Sequence, residues 1–152
     1  MKLLVLLLVG LVTTTFSCKK SDDVAPATTT ATTIDVKSVM PTGNWSVSLF
    51  QQRTEDKSSN FKDITFVFSA DGSVTATQGN KSTKGSWIYS PAVTYYGGNG
   101  LSSLTLNLGT SKPFDLLNRT WNVNTESTTS SLKLDNKEPL EDEHLIFQNS
   151  KQ

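Results

Sequence analysis

Few residues in this chain have the type and spacing to do chemistry. His144 is the only histidine, and it follows Glu141-Asp142-Glu143. A lone histidine cannot supply the set of imidazoles usual in a zinc site. Its expected role is that of an exposed or partly paired strand residue. Ser130-Ser131-Leu132-Lys133 reads S-x-x-K, the spacing of a serine nucleophile and a lysine base. On a strand, positions i and i+3 point to opposite faces, so an extended segment keeps Ser130 and Lys133 apart. No G-x-S-x-G elbow occurs. Asp135, Glu138, Glu141, Asp142 and Glu143 gather around one late segment. They offer oxygen ligands to Ca²⁺, but without the spaced acid–Asn–Gly loop of an EF-hand, and a solvated acidic loop is the plainer expectation. These residues point to a protein that is not an enzyme, with no metal and no cofactor.

Tyr95-Tyr96-Gly97-Gly98-Asn99-Gly100 is the stretch best suited to contact. Two aromatics on a glycine-rich loop present flat surface with a polar tip, and loops on rigid scaffolds often carry function. Tyr95, Tyr96 and Asn99 are therefore candidates for touching a sugar, a lipid or another protein. The alternative is that the tyrosines fold down as a lid on the core.

The sole cysteine, Cys18, stands directly after an apolar run. Met1 and Lys2 form a short positive start, Leu3 to Val12 is apolar, and Thr13 to Ser17 leads to Cys18. This order describes a secretory signal. Its apolar run is about half of the roughly 20 residues that a membrane-spanning helix needs. Thr15-Phe16-Ser17-Cys18 resembles a lipobox, with Ser17 as the small residue before the cut. That resemblance implies a diacylglycerol thioether on Cys18 and acylation of the new amine. Each buried CH₂ contributes about 0.8 kcal/mol, so several chains make a stable anchor. The alternative is ordinary secretion with a free thiol. Lys19-Lys20-Ser21-Asp22-Asp23 resembles the start of Bacteroidetes-type lipoproteins. In that group such residues accompany export to the outer face of the outer membrane; a periplasm-facing lipoprotein is the other possibility.

Ser21 to about Val39 includes Ala25-Pro26-Ala27-Thr28-Thr29-Thr30-Ala31-Thr32-Thr33, a small, polar stretch without apolar period. It buries too little surface to offset ordering entropy and is expected to be a tether. The organisation expected is a signal peptide at 1–17, a lipidated cysteine and tether at 18–40, and one domain at 41–152. The chain carries 14 basic and 14 acidic residues, which leaves no electrostatic footprint for nucleic acid.

The elements that must position any site are strands. Trp45, Val47 and Leu49 share one parity, as do Ile64, Phe66 and Phe68, and Leu104, Leu106 and Leu108. Similar pairs recur at Val74/Ala76, Trp87/Tyr89, Trp121/Val123, Leu132/Leu134 and Leu145/Phe147. Alternation with one apolar face means half-buried strands. It predicts strands over 43–53, 61–69, 73–79, 84–90, 101–108, 119–125, 130–135 and 143–149. Ser69-Ala70-Asp71-Gly72 and Gly79-Asn80 are the expected tight turns, and Phe114 to Asn118 the expected single helical turn. Short links favour an antiparallel meander. About eight strands with no cover for their edges favour closure. The fold class is therefore all-β, an antiparallel up-and-down barrel of about eight strands. Such a barrel is either filled by its side chains or holds one small ligand.

Gly43-Asn44-Trp45 matches the G-x-W of the first lipocalin strand. Phe66-Val67-Phe68-Ser69-Ala70-Asp71-Gly72, then Gly85-Ser86-Trp87 and a late Leu145-Ile146-Phe147, follow in order. Over residues 41–149 the chain resembles the lipocalin-like domains of small Bacteroidetes-type lipoproteins. In lipocalins the G-x-W tryptophan packs across the closed end beneath a late arginine. Here the arginines are Arg53 and Arg119, and the last strand has none. Gly43, Trp45, Phe66, Phe68, Gly72, Trp87, Trp121 and Phe147 are the expected core. Two functions follow as expectations for a membrane-anchored envelope protein: binding a small apolar ligand in the barrel without catalysis, or, if the interior is filled, docking to an envelope protein as an accessory subunit.

Overall fold

A computed structural model describes residues 34–93, 100–138 and 141–150. Cys18, the Lys19 to Asp23 export segment, and Tyr95, Tyr96 and Asn99 lie outside the described residues.

The alternating segments become β1 (Asn44–Gln52), β3 (Ile64–Phe68), β4 (Ser73–Gln78), β5 (Lys81–Ser90), β6 (Ser103–Asn107), β7 (Thr120–Val123), β8 (Ser131–Asn136) and β9 (Glu143–Asn149). Each pairs antiparallel with its neighbour in sequence order, and β1 also pairs with β9, which closes an eight-stranded barrel. One further strand, β2 (Glu55–Asp56), hairpins onto the end of β1 through Gln51↔Asp56 and Gln52↔Glu55. Two acidic residues carry no strand pattern, so no periodicity announced it. β5 also starts earlier than the alternation suggests. Lys81-Ser82-Thr83 is polar throughout, yet it pairs with Ala76 to Gln78 across the Gly79-Asn80 turn.

Two departures from the sequence reading alter what faces inward. The register of β1 against β9 slips between Val47 and Leu49. A bulge moves the chain to the other parity, so Phe50 is fully buried while Leu49 is only partly so. The expectation that Leu49 shares the face of Trp45 is corrected accordingly. In addition, a four-residue helix α1 (Val36–Val39), N-capped by the Asp35 side chain, precedes β1. Val36 and Met40 are fully buried in the core, within residues that composition assigned to the tether. One helical turn is too short to show a period.

Aromatic rings fill the interior. Phe61, Phe50 and Trp121 form one edge-to-face chain, with centroids 5.4 and 6.4 Å apart. Phe114, Phe66, Phe147, Phe68 and Trp87 form another, at 5.3 to 6.3 Å. T-shaped pairs add about 0.5–1.5 kcal/mol each beyond area burial. Trp45, Phe66, Phe68, Trp87, Trp121 and Phe147 are all at most 5% exposed.

The two ends of the barrel are closed in related ways. At the end where β1 begins, the Trp45 indole N–H donates to the Met40 carbonyl at 2.9 Å, just before the strand. At the opposite end the Trp121 indole N–H donates to the Leu117 carbonyl at 3.1 Å, in the 3₁₀ turn Phe114–Leu117. Each tryptophan thus ties its strand to the short helical segment that plugs that end. The polar tip of a buried indole needs such a partner.

Candidate functional site

Beyond Trp121 the inward positions turn polar. Along β1, Phe50 is followed two residues later by Gln52. Leu145 and Phe147 of β9 share their parity with Glu143, Leu132 and Leu134 of β8 with Asn136, and Trp121 with Arg119, which precedes β7. Four neighbouring segments therefore each contribute one polar residue above the apolar core. The register places Gln52 opposite Glu143 and Asn136 opposite Glu143, so these side chains must meet.

Glu143 is the centre of the set and is only 3% exposed. The Arg119 Nη1 donates to Glu143 Oε2. Gln52 Nε2 donates to Glu143 Oε1, and Asn136 Nδ2 to Glu143 Oε2 at 3.1 Å. A buried carboxylate without partners is costly; this one is met on both oxygens. Glu141 is a more exposed second acceptor, 3.2 Å from Arg119 Nη1 and 3.0 Å from Asn136 Nδ2. Lys57 Nζ donates to Gln52 Oε1 at 2.7 Å and pairs with Glu55 at 3.2 Å. The guanidinium lies over the Trp121 ring, with Cζ 5.4 Å from the centroid, a cation–π contact. Arg119 Nε is buried with no hydrogen-bond partner among the described residues.

These groups floor a cleft of about 310 Å³ lined by Gln52, Arg53, Glu55, Lys57, Arg119, Glu141 and Glu143. A second cleft of about 370 Å³ adjoins it through Glu55 and Lys57 and extends to Asn60, Lys112 and Leu116. Both open at the end of the barrel where β1 finishes. Their chemistry is mixed in sign and rich in donors and acceptors, which suits a polar or zwitterionic surface rather than a hydrocarbon.

The other candidates are distributed elsewhere. His144 Nδ1 is 2.7 Å from Asp135 Oδ1, and Asp135 Oδ2 accepts from Asn124 at 2.7 Å. The second ring nitrogen lies 3.6 Å from Asp142. The imidazole is thus held between two carboxylates on the outer face. Lys133 bonds to Glu126 at 2.6 Å, while Ser130 Oγ lies 3.3 Å from Thr128 Oγ1; they do not meet. Of the acidic segment, Glu141 and Glu143 meet Arg119, and Asp135 and Asp142 flank His144. Among the described residues no group of three or more His, Cys, Asp or Glu is gathered as a metal site. Gly72 takes φ +87° in the turn before β4, and Gly43 sits against the Asn149 side chain.

The acidic residues Asp135, Glu138, Glu141, Asp142 and Glu143 read in sequence as a solvated loop, whereas Glu143, at the first position of the expected last strand, is buried at the centre of this polar cluster. The signal was present as parity: Glu143-x-Leu145-x-Phe147 and Arg119-x-Trp121-x-Val123 extend an inward face by one polar step. The arginine over a tryptophan does occur here, but on Trp121 and not on the G-x-W residue Trp45.

No family model matches the chain, and no curated protein matches it. Among solved structures the chain is similar to a DUF4847 family protein from Bacteroides vulgatus, with a TM-score of 0.51 and 15% identity. The match covers 77% of this chain and 99% of that one. At that identity the likeness establishes the fold alone.

Proposed function

We propose that this chain is a non-catalytic envelope lipoprotein, anchored by lipid on Cys18, whose barrel recognises a partner protein through its polar end. The observation that carries this is the occupied interior. The aromatic chains running from Phe61 to Trp121 and from Phe114 to Trp87 take the space that an apolar ligand would need. Of the two functions expected from sequence, the accessory subunit with a filled core is therefore favoured over an apolar-ligand carrier. The clefts around Arg119 and Lys57 supply the recognition chemistry at a rim, where polar contacts fix orientation and a positioned charge favours one partner over others.

Native mass spectrometry of the protein extracted from membranes tests this. The expected species carries the mass of acyl chains, holds no lipid inside the barrel, and retains an envelope protein that is lost on Lys57→Glu. A lipid retained stoichiometrically after the acyl anchor is accounted for would favour the apolar-ligand function instead. An unacylated Cys18 would overturn the anchor. For export, alanine at Lys20, Asp22 and Asp23 should leave the lipoprotein made but protected from protease on whole cells; unchanged accessibility would refute a surface address in these residues.

A further inference from the structure

Arg119 meets two carboxylates and still has a donor to spare. Among the described residues its two hydrogen bonds both leave from Nη1, to Glu141 and to the buried Glu143. Its Nε is buried and has no partner among them. Nε and Nη2 lie along one edge of the planar guanidinium, the fork that takes both oxygens of a carboxylate. A buried donor without an acceptor is destabilising, and in a native structure it calls for one from elsewhere.

The polar groups of the cleft are spent unevenly. On the acidic side, Glu143 is met on both oxygens. Glu55 and Glu141 keep 69% and 56% of their side-chain surface in solvent, where water serves their remaining lone pairs. The cationic side chains are more enclosed: Lys57 is 28% exposed and Arg119 23%, and both line the cleft of about 310 Å³. Lys57 Nζ donates to Gln52 and pairs with Glu55, which leaves one of its three protons. The enclosed part of the cleft therefore lacks an acceptor, and beside two cations the strongest acceptor is an ionised one. Glu141, exposed on the same guanidinium, is the side chain with room to turn aside as that acceptor enters.

We infer that this cleft is a carboxylate receptor: the Nε–Nη2 edge of Arg119, with Lys57 alongside, takes a carboxylate presented by the partner protein. This rests on the docking function proposed above and gives that partner its chemistry. The carboxylate comes from an Asp or Glu side chain or from a chain terminus, two sources that offer the same pair of oxygens. Its entry supplies Nε with the acceptor that the chain itself does not, and so fixes the partner at one point of the rim.

The experiment uses the full acylated chain in detergent micelles. Its arginines are Arg53 and Arg119, so a ¹⁵N–¹H spectrum holds two Nε–H signals, and Arg53→Lys leaves that of Arg119. The probes are N-acetyl-aspartate amide, with a side-chain carboxylate, N-acetyl-alanyl-alanine, with a terminal one, and N-acetyl-alanyl-alanine amide, with none. Both carboxylates should move the Arg119 signal downfield to saturation, and the amide should not; the probe acting at lower concentration identifies the source. Lys57→Gln should raise the concentration needed several-fold. Glu141→Gln, which removes a competing carboxylate, should lower it. The indole N–H signal of Trp45, at the opposite end of the barrel, should stay in place in every variant and show the fold intact.

No movement with either carboxylate, or equal movement with the amide, would overturn the receptor. So would inorganic phosphate acting at a lower concentration than both carboxylates, or a signal already at the downfield position of a charge-assisted hydrogen bond before any probe is added, which would assign Nε to an acceptor within the chain. The titration needs no partner, so the two readings fail separately. An envelope protein lost on Lys57→Glu without any carboxylate response would leave docking to other chemistry and overturn the receptor. A saturable carboxylate response in a chain that retains no envelope protein would support the receptor and overturn the docking function.

Discussion

Arg119 stands on the indole of Trp121, Cζ 5.4 Å from the ring centroid, while its Nη1 reaches Glu143. One side chain thus joins the last apolar layer of the barrel to the first polar one. The cation–π contact sets the guanidinium against the ring, and the buried Glu143 carboxylate neutralises it.

Breaking that pair should be costly, and replacing it less so. Arg119→Ala leaves Glu143 buried without its cation, and removing one partner of a buried pair typically costs about 3–5 kcal/mol. The Arg119 side chain is 23% exposed and that of Glu143 4%, so the lower part of that range is expected. The double variant Arg119→Met, Glu143→Leu should recover part of the loss, since it removes both charges but leaves the Gln52 amide without its carboxylate acceptor and Asn136 with Glu141 alone. Urea denaturation of the four species of the cycle checks this; equal losses in single and double variants would contradict it.

Opening the aromatic interior should create the ligand site that the native barrel lacks. Phe147 contacts both Phe66 and Phe68. Phe147→Ala should cost about 3–5 kcal/mol and leave an apolar cavity able to take a small aromatic such as benzene. The native protein should show no benzene-induced rise in its thermal midpoint, and the variant should show one.

Gly85 and Gly79 lie in the same hairpin but should respond differently to alanine. A Cβ on Gly85 would lie 2.2 Å from the Asn107 carbonyl oxygen and 2.9 Å from the Leu108 Cα, so β5 and β6 must separate. Overpacking of this kind costs about 1–3 kcal/mol, sometimes more. Gly79 has open space around it and a φ of +58°, so its alanine variant meets only backbone strain of about 1–2 kcal/mol. Amide exchange should accelerate along β6 in Gly85→Ala and stay local to the turn in Gly79→Ala.

Acid should loosen the turn before β4. The Ser73 hydroxyl and then its backbone N–H donate to Asp71, holding that carboxyl below its ordinary value of 3.8. A lowered folded-state value means the contribution is complete above the ordinary value and fades as pH falls through the lowered one. Asp71→Asn should therefore lower the thermal midpoint slightly at neutral pH, where the contribution is complete, and flatten its decline below about pH 4, so that variant and native converge in acid. A native-like acid decline in the variant would place the sensitivity in other carboxylates, such as Asp56 or Glu126, which are lowered by Ser58 and Lys133 respectively.

The sequence by itself determined the strand order, the antiparallel barrel and most of its inward face. Alternation is a property of adjacent residues, and short turns such as Ser69 to Gly72 leave a meander few ways to pair. Tertiary structure alone decided three things. The β1 bulge that exchanges Leu49 for Phe50 depends on the partner strand β9, which lies far away in sequence. The recruitment of Val36 and Met40 depends on an open barrel end that only the closed sheet creates. The gathering of Gln52, Arg119, Asn136 and Glu143 depends on registers among β1, β7, β8 and β9. Each residue looks like an isolated polar position until closure brings them together, because a charge shows itself as part of a site only through the partners that offset its burial.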